Sequence, residues 1–151
     1  MIVGIGTDMV DTRRIEKLLH RFGDRFVCKI FTPQERVYCM AQHHPAAAFA
    51  KRFAAKEAAL KALGTGLRAG ITWHDIEIFN DTKGKPCLRI AEHVLVNTVL
   101  LNASSDKISD AFPPIGNRPR KQLYRDALDI HVSLADEQPY ALAFVVISKT
   151  I

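Results

Sequence analysis

The sequence predicts an α+β fold in which a small antiparallel sheet is packed with one long central helix. Three observations predict it. The stretch Pro45–Leu63 is rich in alanine, opens on a proline suited to a first helical turn and runs into Gly64, a helix stop. Ile76–Phe79 and Pro86–Ile90 flank the turn-forming run Asn80–Lys85 and read as a hairpin. Ile130–Leu134 and Tyr140–Ser148 read as a second strand pair, joined through Ala135–Pro139. The last of these strands is apolar on both faces, which suits the middle of a covered sheet.

Along the chain, Ile2–Thr7 alternates apolar and small residues as a strand does and delivers Asp8 at its end. Asp11 or Thr12 can cap the helix that follows. In that helix Ile15, Leu18, Leu19, Phe22 and Phe26 form one apolar face, with a break expected at Gly23. The other face carries Arg14, Lys17, Arg21 and Arg25, with few acids among them. Thr32-Pro33-Gln34-Glu35 is a capping box with proline at the first helical position, starting a short helix that ends near Gln42. His43-His44-Pro45 breaks it, and adjacent histidines in a loop carry little metal-binding signal.

The central helix shows Phe49, Phe53, Leu60 and Leu63 at apolar helical spacing. Arg52 and Lys56 are four apart, as are Glu57 and Lys61, so each pair shares a face. The plainest reading of these charges is solvation on an ordinary helix. Gly66 keeps the following loop free of side chains. In the segment 91–129 the first half reads as helix or strand, residues 104–120 have loop composition, and 121–129 read as helical. The polar, proline-bearing part, Ser104–Arg120, is expected to be a mobile surface insertion distant from the site.

The 151 residues suffice for one domain over 1–151, with a variable segment around 91–129. No apolar run reaches membrane-spanning length. The start MIVGIGTD lacks the basic head and apolar core of a signal peptide. Cys28, Cys39 and Cys87 are an odd, scattered set that suits neither a disulfide framework nor a structural zinc site, so the expected location is cytoplasmic. The net charge of +5 calls for an anionic partner. Nucleic acid is one candidate, but aromatics interleaved with the basic residues are lacking, so neither nucleic acid nor membrane is the expected partner.

Four stretches carry a resemblance: GIGTDMV at Gly4–Val10, RFAAKEAALKALGTG at Arg52–Gly66, DIEIFNDTKGKP at Asp75–Pro86, and HVSLADEQPYALAFVVI at His131–Ile147. Their order and context are similar to those of the holo-acyl-carrier-protein synthases, the small 4'-phosphopantetheinyl transferases. KEAALKALGTG is the specific part, and the likeness spans about residues 1–90 and 130–151.

The resemblance implies the fold of that family, assembled as a homotrimer with its sites at subunit interfaces. It implies a reaction in support of fatty acid biosynthesis. A serine of apo-acyl carrier protein attacks the β-phosphate of coenzyme A, takes the phosphopantetheine arm and releases adenosine 3',5'-bisphosphate. It places Mg²⁺ on Asp8 and Glu57, a use that suits a hard ion needing oxygen ligands. Lys61, one turn beyond Glu57, reaches the same phosphates as a third catalytic residue. Arg52 and Lys56 are expected at the 3'-phosphate or the pyrophosphate, Gly64 and Gly66 where backbone approaches the nucleotide, and His131 with Ser133 along the nucleotide site. The serine proton is open between Glu35, His131 and a metal-held water. Arg14 and Arg21, with Arg25 beyond them, are expected to dock the acidic carrier protein. The chain departs from the family in the length of 91–129 and in Ala135-Asp136, where a serine-histidine pair is usual.

Overall fold

Alanine and glycine decide how the central layers meet. The computed structural model of the chain describes residues 1–68, 70–95 and 128–149. Its main sheet has three antiparallel strands in the order β1 (Ile2–Asp11), β5 (Tyr140–Lys149), β4 (Leu128–Glu137). Helix α4 (Pro45–Leu63) lies across one face of it. Gly4 and Gly6 are the closest points of approach. A Cβ on Gly4 would stand 2.0 Å from the carbonyl oxygen of Ala62, and one on Gly6 1.9 Å from that of Ala58. No residue but glycine fits there without moving the helix. Ala141 and Ala143 of β5 and Ala54, Ala55, Ala58 and Ala59 of α4 are buried in the same contact.

The remaining helices pack around α4 and along its flank. Asp11 caps α1 (Thr12–Phe22), accepting from the Arg13 backbone N–H at 2.9 Å. Gly23, at φ 47°, separates α1 from α2 (Asp24–Ile30). The capping box at Thr32 forms and starts α3 (Pro33–Met40). Gly64 ends α4 in the left-handed region, at φ 75°, as a helix C-cap requires. A 3-10 turn, Trp73–Asp75, leads into the hairpin β2 (Ile76–Asn80) and β3 (Pro86–Ile90), which forms its own two-stranded sheet. A single turn, α5 (Glu92–Leu95), follows. Among the described residues no helix is long and apolar enough to cross a membrane.

Several sequence expectations change. β1 runs on to Asp11, so Asp8 sits within the strand, paired with Ala143, and not at its end. The main hairpin is tighter than expected, with pairing that continues to Glu137 and Tyr140. Leu128 and Asp129 belong to β4, not to a helix. The expected insertion 104–120 and the expected helix up to 127 lie outside the described residues. Phe22, expected on the buried face of α1, is exposed, because α1 ends there and turns away at Gly23.

β5 is central, as its two-sided apolar pattern suggests, yet α4 covers one face of the sheet only. The other presents Ile5, Met9, Leu142 and Phe144, with exposures of 53%, 60%, 40% and 41%. These side chains leave an apolar strip on the side of the sheet opposite α4.

Candidate active site

Asp8 projects from the α4 side of β1, the side shared with Gly4, Gly6 and Val10. The glycine contact brings the last turns of α4 against this strand, and Lys61 reaches across. Its Nζ donates to Asp8 Oδ1 at 2.7 Å and to the Thr7 carbonyl at 3.0 Å. The lysine is half-exposed and the Asp8 side chain largely covered. Glu57, one turn earlier on α4, joins them. Burial raises its carboxyl pKa first, the negative charge of Asp8 raises it further, and Lys61 opposes both. Two carboxylates and an ammonium thus converge beside a glycine-ended helix. The expected pairing of Glu57 with Lys61 along the helix gives way to one between Lys61 and Asp8, a contact between elements that no spacing rule contains.

The donors at this point are hard oxygens. Among the described residues no cluster of three or more metal-ligating side chains exists. A pair of carboxylates suits an ion that completes its shell with water and substrate phosphate, as Mg²⁺ does. The Glu57 carboxyl pKa is raised first by burial and then by the charge of Asp8, and a cation bound between the two carboxylates would oppose both.

Lys56 and Glu35 belong elsewhere. Both side chains are fully buried, and they pair at 2.9 Å. The Lys56 ammonium also donates to the carbonyls of Trp73, at 2.8 Å, and of Ile76. Glu35 accepts from the backbone N–H of Thr32 and of Ile78, each at 2.8 Å. All three ammonium protons are used, and both carboxylate oxygens are occupied. Lys56 therefore has no donor left for a phosphate, and Glu35 is closed to a substrate proton. Burial lowers the Lys56 pKa while Glu35 opposes the shift. This pair ties α3, α4 and β2 together, and correct rotation of α4 is what it secures for the neighbouring Glu57.

Arg52 lines a separate cleft of about 400 Å³, with Tyr38, His44, Lys51, Asn80 and Asp136 among its walls. Its guanidinium stacks 4.3 Å over the Tyr38 ring and donates to Asn80 Oδ1. Arg52 is 3% exposed, and its buried Nε has no hydrogen-bond partner. A buried cation with an unpaired donor has room for one more acceptor. The sequence assigns Lys51 no role and marks Asp136 only as a departure from the family; Lys51 stands beside Arg52, but nothing local shows that β4 brings Asp136 to it.

These placements coincide with a sequence pattern. Residues 4–145 match the pattern of the 4'-phosphopantetheinyl transferase superfamily. This chain belongs to that superfamily. A holo-acyl-carrier-protein synthase of Methylobacterium sp. is 45% identical over 97% of this chain and 94% of its own length. The crystal structure of the holo-acyl-carrier-protein synthase from Neisseria meningitidis matches with a TM-score of 0.71 at 34% identity, covering 99% of this chain and all of that one. The synthase of Bacillus anthracis, solved in complex with CoA (3',5'-ADP), matches with a TM-score of 0.67 at 31% identity, covering 99% of both chains.

The remaining expected positions of this superfamily member are distributed over its surface. Gly64 and Gly66 follow Lys61 directly, and a Cβ on either would meet open space, so the loop presents bare backbone. His131 and Ser133 are exposed and point to the open apolar face, opposite Val146 and Phe144. Within one chain the structure does not bring them to Asp8, which faces the other way across the sheet. Arg14 and Arg21 are exposed on α1, Arg21 against the Phe22 ring. Arg25 is exposed as well but lies in the first turn of the next helix, past the break at Gly23.

Proposed function

We propose that this protein transfers the 4'-phosphopantetheine arm of coenzyme A to a serine of apo-acyl carrier protein and releases adenosine 3',5'-bisphosphate. One observation carries the reading: Asp8, Glu57 and Lys61 converge within the sequence pattern of a phosphopantetheinyl transferase. Relatives that match over nearly the whole chain are holo-acyl-carrier-protein synthases, one of them in complex with CoA (3',5'-ADP). The activity serves fatty acid biosynthesis in the cytoplasm.

The carboxylates of Asp8 and Glu57 are the residues to hold Mg²⁺. Held there, the ion would supply positive charge to the diphosphate. Lys61 exchanges Asp8 for a phosphate oxygen and adds a positive charge at the same place. Bare backbone at Gly64 and Gly66 admits the substrate closely. Arg52 takes a phosphate of the nucleotide end in its cleft. The serine oxygen forms the new O–P bond at the β-phosphorus, and the bond to the bridging oxygen breaks. The serine proton passes to His131 or to a water held at the carboxylates. Arg14 and Arg21, supported by Arg25, dock the acidic carrier protein.

The assembly that supports this reading is a homotrimer. The open apolar face needs a cover, and His131 and Ser133 lie on it, away from the same chain's Asp8. A second copy on that face carries these residues to a neighbouring site. Light scattering checks this, and a stable, fully active monomer would sink it. The activity itself is tested with apo-carrier protein, coenzyme A and Mg²⁺, followed by mass spectrometry. The expected product carries the added arm; an unchanged carrier mass overturns the reading.

A further inference from the structure

We propose that Asp136 is an internal counter-ion of the Arg52 cleft: it holds Lys51 while no anion is bound and yields Lys51 to a phosphate of the nucleotide. The inference rests on the assignment of that cleft to the nucleotide end of coenzyme A. The cleft wall carries the cations Lys51 and Arg52 together with His43 and His44, and Asp136 is the one carboxylate among its described residues. A volume of about 400 Å³ is of small-ligand size. Asp136 Oδ1 lies 3.1 Å from Lys51 Nζ, with side chains 49% and 34% exposed. An ion pair so open to water is weak and exchanges readily. A phosphate brings more charge and three acceptor oxygens, and it outcompetes a single carboxylate for the ammonium.

The backbone keeps Asp136 in place after the exchange. It pairs with Ala141, the residue after Tyr140 at the start of β5, and Lys51 approaches it from the first turns of α4. The freed carboxylate therefore stays beside the bound phosphate and recovers Lys51 when the nucleotide leaves. The consequence is a cleft that binds nucleotide less tightly than its four basic side chains would allow, and that releases the adenosine bisphosphate product faster.

Titration calorimetry on the full chain with adenosine 3',5'-bisphosphate, 3'-AMP and 5'-AMP tests this. Asp136→Asn should bind the bisphosphate about three- to tenfold more tightly at low salt, with the gain shrinking as salt rises. The mononucleotide that shows the same gain identifies the phosphate that takes Lys51. In a Lys51→Met background the gain should fall, since the partner to be freed is gone. Unchanged or weaker binding by Asp136→Asn overturns the proposal. So does a gain undiminished by Lys51→Met, which would show plain repulsion. If Lys51→Met and Arg52→Lys both bind like wild type, the cleft assignment itself falls and the counter-ion role with it. If those two weaken binding and Asp136→Asn does not alter it, only the counter-ion role falls.

Discussion

Two of the lysine–carboxylate pairs on helix α4 have opposite surroundings. Lys56 with Glu35 is fully buried, and every donor and acceptor of the pair is used. Lys61 with Asp8 is half in water, and its partners can be exchanged. The two lysines are about 7.5 Å apart along the axis and point about 140° apart around it, so one enters the core and the other reaches the sheet edge of the site. The difference teaches what a charge on a helix does: satisfied and dry, it fixes geometry; exposed and half-satisfied, it is available to a substrate.

The largest effect expected comes from breaking the buried pair. Lys56→Met leaves Glu35 charged without a counter-ion and orphans the Trp73 and Ile76 carbonyls, at a cost of about 3–5 kcal/mol of stability. Urea unfolding measures it. In whatever fraction folds, the KM for coenzyme A should be unchanged; a raised KM with normal stability would return Lys56 to the substrate site.

The exposed pair should show the converse. Asp8→Ala and Glu57→Ala are each expected to lower kcat by at least about a hundredfold, the scale of one strong transition-state contact. Circular dichroism should show both variants folded. Chelation should abolish turnover of the wild type, and Mg²⁺ or Mn²⁺ should restore it. Near-normal turnover by Glu57→Ala, or turnover in excess chelator, would remove the contrast between the pairs.

A smaller effect is expected away from both. Replacing Arg14 and Arg21 by Glu should raise the carrier-protein KM by about tenfold or more at low salt and leave the KM for coenzyme A alone. Steady-state kinetics with each substrate varied in turn decides it, and an unaltered carrier KM removes the docking role.

The smallest is a stability effect at Glu57. Its folded pKa lies above the ordinary 4.5, so the unfolded chain gives up this proton at lower pH. Between 4.5 and the raised value the native state holds more protons, and stability falls as pH rises through that window. The deficit persists at neutral pH. Glu57→Gln without divalent ions should therefore melt roughly 1–3 °C higher than wild type at pH 7, and at the same temperature as wild type at pH values below the window. A lower Tm at pH 7 would mean that Lys61, not Asp8 and burial, dominates the surroundings of Glu57.

Much of this molecule is legible in its sequence because local rules govern it. The bounds of α4, the capping box at Thr32, the Gly64 stop and the β2–β3 hairpin follow from capping, propensity and turn chemistry, which act within a few residues. The candidate roles of Asp8, Glu57 and Lys61 came from motif resemblance in sequence. Tertiary structure decided what spacing cannot contain. Arg52 and Lys56 share a helix face and look alike in sequence, yet one stacks on Tyr38 in a cleft and the other is sealed against Glu35. Their difference depends on α3 and β2 arriving from 14 to 28 residues away in the chain, and burial, unlike helix spacing, is set by what arrives. The same holds for Lys51 and Asp136, 85 residues apart, and for the sheet face that α4 leaves open. Sequence by itself determined the elements and the chemistry available to them; contact between distant segments decided which charges are structural and which are free to meet a substrate.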